Sequence, residues 1–172
     1  MNSTKLITKI IMIASLYVVI SLIIPFISYG PLQFRIAEVL CIFALIDKRY
    51  IFALTLGCFL TNLIGAYSGI NLLGYIDVFI GTLATNISVV LMYKFRNILT
   101  KGYPLLSLFM PVIFNALIIG LELAIVLFPL NVMEGFIISF SQVFIAQFVI
   151  CMLFGGVLYK KIKNIEILSL EK

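Results

Sequence analysis

Gln33, Arg35 and Glu38 form a polar cluster at the edge of an apolar run, and Asn62, Asp77, Glu122 and Gln142 interrupt four further runs. These residue types do their chemistry by charge and hydrogen bonding: a carboxylate accepts at two oxygens, while guanidinium and carboxamide groups donate. The chain has no histidine, and its three cysteines, Cys41, Cys58 and Cys151, lie in apolar segments without CxxC spacing. A disulfide framework, a zinc site and histidine acid–base chemistry are therefore not expected. The sequence also lacks a GxxxxGK[ST] phosphate loop, an HExxH and a GxSxG, so ATP hydrolysis by the usual route is not expected. Glu38 and Asp77 could form an aspartate-type dyad, but no flanking motif supports one. The expectation is a binding protein and not an enzyme, without metal or cofactor.

The elements that must position these groups follow from composition. The 172 residues are 63% hydrophobic and 11% charged, with mean hydropathy +1.24, which reads as one all-α integral membrane domain. A bilayer core needs roughly 20 apolar residues per helix, and the apolar pattern predicts segments at about 6–27, 34–46, 50–67, 73–93, 104–128 and 135–159. The second is too short to cross straight on its own, so the loop before it, with Pro25, Gly30 and Pro31, is expected to dip into the protein. Net charge is +5, but the basic residues sit in short clusters between spans and not along one face, so nucleic acid is not an expected partner. Every lysine and arginine except Arg35 falls on one side of a six-helix threading. The excess of positive charge on that side places both termini in the cytoplasm and the protein in the cell membrane.

With that orientation the polar residues gather at a similar depth. Arg35 and Glu38 lie at the outer end of the second segment, Asp77 in the first turns of the fourth, Asn62 and Glu122 late in the third and fifth, and Gln142 early in the sixth. An ionised side chain at a helix centre costs about 2.5–3.5 kcal/mol on insertion scales, so these groups need partners, and their convergence points to one pocket opening outward. Asp77 shares a helical face with Gly74, Gly81, Ala84, Thr85 and Ser88, and a strip of Ala53, Gly57, Thr61, Gly65 and Ser68 runs along the third segment. Small residues on one face allow close helix approach. Arg35 and Glu38, three apart, could also form a local salt bridge. Phe34, Tyr67 and Tyr75, near the outer ends, are candidates to stack on a planar ligand.

The stretch YGPLQFRIAEVL, with GCFLTNLIGAY and IDVFIGTLATNIS downstream, resembles the QueT family. These are substrate-binding S components of energy-coupling factor importers for queuosine precursors. The likeness runs from about Leu6 to Tyr159 and is most specific at the Gln-Phe-Arg-Ile-x-Glu segment. It implies a six-helix S-component fold and three partners: a transmembrane coupling protein and two ATPases. It also implies a 7-deazaguanine ligand, such as preQ1 or queuine, whose two adjacent donors would be read by Glu38. Arg35, Gln33 or Asn62 would then donate to the ring carbonyl. The outer acids Glu38, Asp77 and Glu122 outnumber Arg35, which favours a ligand with a cationic amine. In such proteins an Ala-x-x-x-Ala pattern on the first helix docks to the coupling protein. Here the corresponding stretch is IIMIASLYV, which leaves Ile11, Ala14, Ser15 and Val18 as the implied docking residues. A different S component, or a stand-alone carrier for another metabolite or vitamin, is the alternative.

Overall fold

A computed structural model describes residues 3–30 and 33–163. Pro31, in the expected loop, and the basic tail position Lys172 lie outside the described residues. Helix α1 spans Ser3–Ile23 and the single turn α2 spans Pro25–Ser28. After a 3-10 helix, Ile36–Leu45, come α3 (Arg49–Tyr67), α4 (Ile76–Phe95), α5 (Leu105–Leu127) and α6 (Val132–Gln147). A π-helical stretch, Phe148–Phe154, then runs into α7 (Gly155–Lys163). Among the described residues there is no β-strand.

Among the described residues, five stretches are long and apolar enough to cross a membrane: Thr4–Ile23, α3, α4, α5 and the continuous Val132–Ile162. The segment expected at 34–46 is instead the ten-residue 3-10 helix. A 3-10 helix rises about 2.0 Å per residue against 1.5 Å for an α-helix, so ten residues reach roughly 20 Å. Most of its side chains are buried, so it lies within the protein. The first segment also ends earlier than expected. Pro25 has no N–H to donate and disfavours α geometry in the residue before it, and Ile24 has left the helix, with φ −127° and ψ 69°.

Helices adjacent in sequence pack on one another in the series α3, α4, α5 and α6, while α1 packs on α3. The 3-10 helix meets α1, α3, α4 and the π-helical stretch, so the helices hold it on most sides, while Ile36, Val39 and Phe43 leave one face partly open. Small residues set these distances. A Cβ on Gly57 would come within 2.8 Å of the Tyr17 Cβ and 3.1 Å of the Ala14 carbonyl oxygen, so α1 and α3 touch through Gly57. On α4 the expected small face is the buried one, with Asp77, Gly81, Ala84, Thr85 and Ser88 all inside. Gly74 instead sits in the preceding turn at φ +62°, in the left-handed region that glycine adopts without steric cost.

The same α1–α3 contact revises the docking residues. Ala14 is 3% exposed and faces α3, so it belongs to the internal packing. Ile11 and Ser15 are exposed and Val18 is half-buried, so only these three of the four lie at an accessible face of α1.

Candidate functional site

Around the start of the 3-10 helix, buried polar side chains form two adjoining groups. The first is an ion pair from Arg35 to Asp77 Oδ2, both partners buried. Arg35 precedes the 3-10 helix in an extended conformation, φ −81° and ψ 91°, which turns its side chain away from Glu38 and toward α4. The local Arg35–Glu38 salt bridge therefore does not form. Arg35 Nε donates to Gln33 Oε1 at 3.0 Å, and Asn71 Nδ2 donates to Asp77 Oδ2 at 2.8 Å. Asn62 reaches over from α3 and donates to the Asp77 carbonyl at 2.8 Å. A Cβ on Gly81 would lie 2.0 Å from Asp77 Oδ1, so only glycine leaves room for the acid at this point.

Gln33 holds this corner at a conformational cost. Its φ of 46° is left-handed, which disfavours a residue with a Cβ by roughly 1–2 kcal/mol. Its amide oxygen is spent on Arg35, and its Nε2 is buried without a partner. Tyr29 secures the chain just before it, donating to the Thr61 carbonyl at 2.7 Å. Burial pushes the Tyr29 phenol up to about 12, so it remains a donor at physiological pH.

The second group centres on Glu38, in the first turn of the 3-10 helix and 1% exposed. Its Oε1 accepts from the Tyr17 hydroxyl at 2.6 Å and from Thr85 Oγ1 at 3.0 Å. Its Oε2 accepts from the Cys41 thiol at 3.0 Å. All three donors are neutral. Arg35 and Asp77 offset one another, so the Glu38 carboxylate has no cation of its own.

Both groups border one small cavity of about 10 Å³, room for roughly one water. Gln33, Arg35 and Glu38 form one part of its wall, Gly81 and Thr85 come from α4, and Asn115, Ile119, Val143 and Gln147 come from α5 and α6. Of the residues expected at the site, Gln33, Arg35 and Glu38 thus line the cavity. Asp77 and Asn62 stand directly behind Arg35.

The remaining expectations lie elsewhere. Glu122 is 3% exposed with neither carboxyl oxygen partnered. It borders a separate apolar groove with Leu83, Leu121 and Met133. Gln142 is half-buried and outside the cavity wall. Phe34 lines a different apolar groove with Val39 and Ile150. Tyr67 and Tyr75 are 84% and 59% exposed, so neither stacks over the cavity. Tyr17 and Gln147 were not anticipated. Tyr17 looks like one more aromatic in an apolar span, and nothing in the sequence marks its hydroxyl as a partner for Glu38. Gln147 abuts the π-helical stretch, whose change of register has no sequence signal here.

The QueT transporter family profile matches residues 7–164. The queuosine precursor transporter QueT of Lactococcus lactis subsp. cremoris (strain MG1363) is 33% identical over 102 residues, covering 56% of this chain and 56% of that protein. The match thus spans little more than half the length of that relative. No solved structure matches the chain.

Proposed function

The chain belongs to the QueT transporter family, and on that premise we propose that it is the substrate-binding S component of an energy-coupling factor importer, capturing a 7-deazaguanine queuosine precursor such as preQ1 or queuine. The observation that carries this reading is Glu38, a buried carboxylate facing a small cavity, whose neighbouring cation, Arg35, is already paired with Asp77. Such a group favours a ligand with two adjacent donors or a positive charge, because a charge-assisted pair is roughly twice as strong as a neutral one. The N1–H and exocyclic amine of a guanine-like ring fit that requirement. Arg35 and the Gln33 amide stand beside Glu38 and can donate to the ring carbonyl. A bicyclic base is many times larger than the cavity, so binding goes with separation of the 3-10 helix from the α5–α6 wall.

The multi-pass helical architecture is that of a membrane protein, and the basic clusters support both termini in the cytoplasm if the short 3-10 helix makes the return crossing between α1 and α3. The partners in this reading are those the resemblance implies, a transmembrane coupling protein and two ATPases, which would supply the nucleotide chemistry. The exposed α1 side chains Ile11 and Ser15 belong to the face offered to the coupling protein. In vesicles containing the purified chain alone, no ATP hydrolysis and no concentrative uptake of base are expected, and both appear once the coupling protein and ATPases are added. Cysteines placed at the exposed positions Lys48 and Lys101 should react only from the cytoplasmic side of the same vesicles. Concentrative uptake by the chain alone contradicts the assignment, and labelling of those sites from outside contradicts the topology.

A further inference from the structure

On a different wall from Glu38, the cavity has an acceptor without a partner. Asn115 projects from α5, is 3% exposed, and its Oδ1 makes no hydrogen bond. Its cavity neighbours Ile119 and Val143 are apolar and offer it nothing. A buried polar atom left in this way is costly unless something else satisfies it. On the same side, Gln147 uses its Oε1 to accept the Cys151 thiol at 3.3 Å, which leaves its amide N–H groups as donors. Gln33 Nε2, on the opposing element, is also buried without a partner. Beyond Glu38, one cavity therefore holds an unsatisfied acceptor and an unsatisfied donor.

We propose that Asn115 is a specificity-determining ligand contact, accepting a hydrogen bond from a donor on an edge of the base other than the edge Glu38 reads. The site then takes a flat heteroaromatic with donors on two edges, the second being an exocyclic amine or a pyrrole-type N–H, and Gln33 donates to an acceptor between them. This rests on the reading of Glu38 as the acid that meets the base. A ring with donors on one edge only satisfies Glu38 and leaves Asn115 as it is in the empty cavity, so it gains nothing from α5.

The test is Asn115→Ala, which removes the amide without adding bulk to a cavity of about 10 Å³. Affinity for 7-aminomethyl-7-deazaguanine is measured by calorimetry on the full chain in detergent, beside the melting temperature without ligand. We expect affinity to fall about tenfold or more, the usual cost of denying a buried donor its partner. The ligand-free melting temperature should hold or rise, because an unpaired buried amide has been removed. Unchanged affinity overturns the proposal, and so does a lowered melting temperature, which makes Asn115 a residue held for the fold. If the alanine variant does not fold, Asn115→Val gives the same two readouts with more of the space refilled. If the unmodified chain binds no deazaguanine base, the proposed function fails separately. The melting comparison then still decides whether Asn115 is kept for the fold or for a site with another ligand.

Discussion

Glu38→Gln is expected to weaken binding of a 7-deazaguanine base by roughly 10- to 100-fold, with little change in the stability of the unliganded chain. The two halves of that result have separate causes. The protein's own partners of Glu38 include the hydroxyls of Tyr17 and Thr85, which rotate and can accept as well as donate. A glutamine amide can therefore be accommodated with either oxygen or nitrogen toward them. The ligand cannot adapt, because a guanine-like edge presents two fixed donors and the new amino group would face one of them. A hydrogen bond to a charged group contributes about 1.5–3 kcal/mol, and removing the charge forfeits most of it. Calorimetric titration with a melting curve on the same sample separates the effects. A variant that binds as well as the parent removes Glu38 from the site.

Asp77→Asn is expected to act on the fold, lowering stability by about 3 kcal/mol and weakening all ligands alike. Arg35 is 4% exposed, and the carboxylate of Asp77 is its only ionised partner within salt-bridge range among the described residues. Losing one member of a buried pair is severe, about 3–5 kcal/mol, because the other charge is left without compensation. The asparagine oxygen can still accept one bond from Arg35, which puts the loss at the low end. Replacing both partners, as in Arg35→Met with Asp77→Leu, should recover stability without recovering binding, since Arg35 also lines the cavity. A selective loss for the cationic base over its neutral nitrile counterpart, with unchanged melting, would instead make Asp77 a ligand contact.

The sequence made some of this arrangement legible through side-chain size and period. The small face of α4 is visible because glycine, alanine, threonine and serine recur at helical spacing beside Asp77, and close packing is what such a face permits. Gln33, Arg35 and Glu38 are visible because polar groups in apolar surroundings need partners. Who partners whom was not legible. An Arg35–Glu38 pair presumes that both lie on one α-helix, whereas Arg35 is extended and the helix after it is 3-10. Its true partner lies 42 residues away, and only the packing of α4 against the 3-10 helix brings the two together.

Side-chain facing on α6 shows the same limit. Gln142 looks suitable at helical spacing from Ser139 and Ala146, yet the buried face runs through Ser139, Val143, Ala146 and Gln147, which leaves Gln142 at its edge. Tyr67 and Tyr75 were plausible as stacking rings, but aromatic residues at span ends commonly occupy the membrane interface, and their exposure agrees with that. Tyr17 illustrates the reverse case. Its ring packs in the α1–α3 core, while its hydroxyl reaches Glu38, a contact set by tertiary structure alone.

The most direct measurement is calorimetric titration of the purified, unmodified chain with 7-aminomethyl-7-deazaguanine, its nitrile counterpart and an unrelated vitamin such as riboflavin. A carboxylate without a cation of its own, in a cavity with an unpartnered acceptor on another wall, should bind the aminomethyl base most tightly, the nitrile more weakly and riboflavin not at all. Tight binding of riboflavin with none of either deazaguanine would contradict the account.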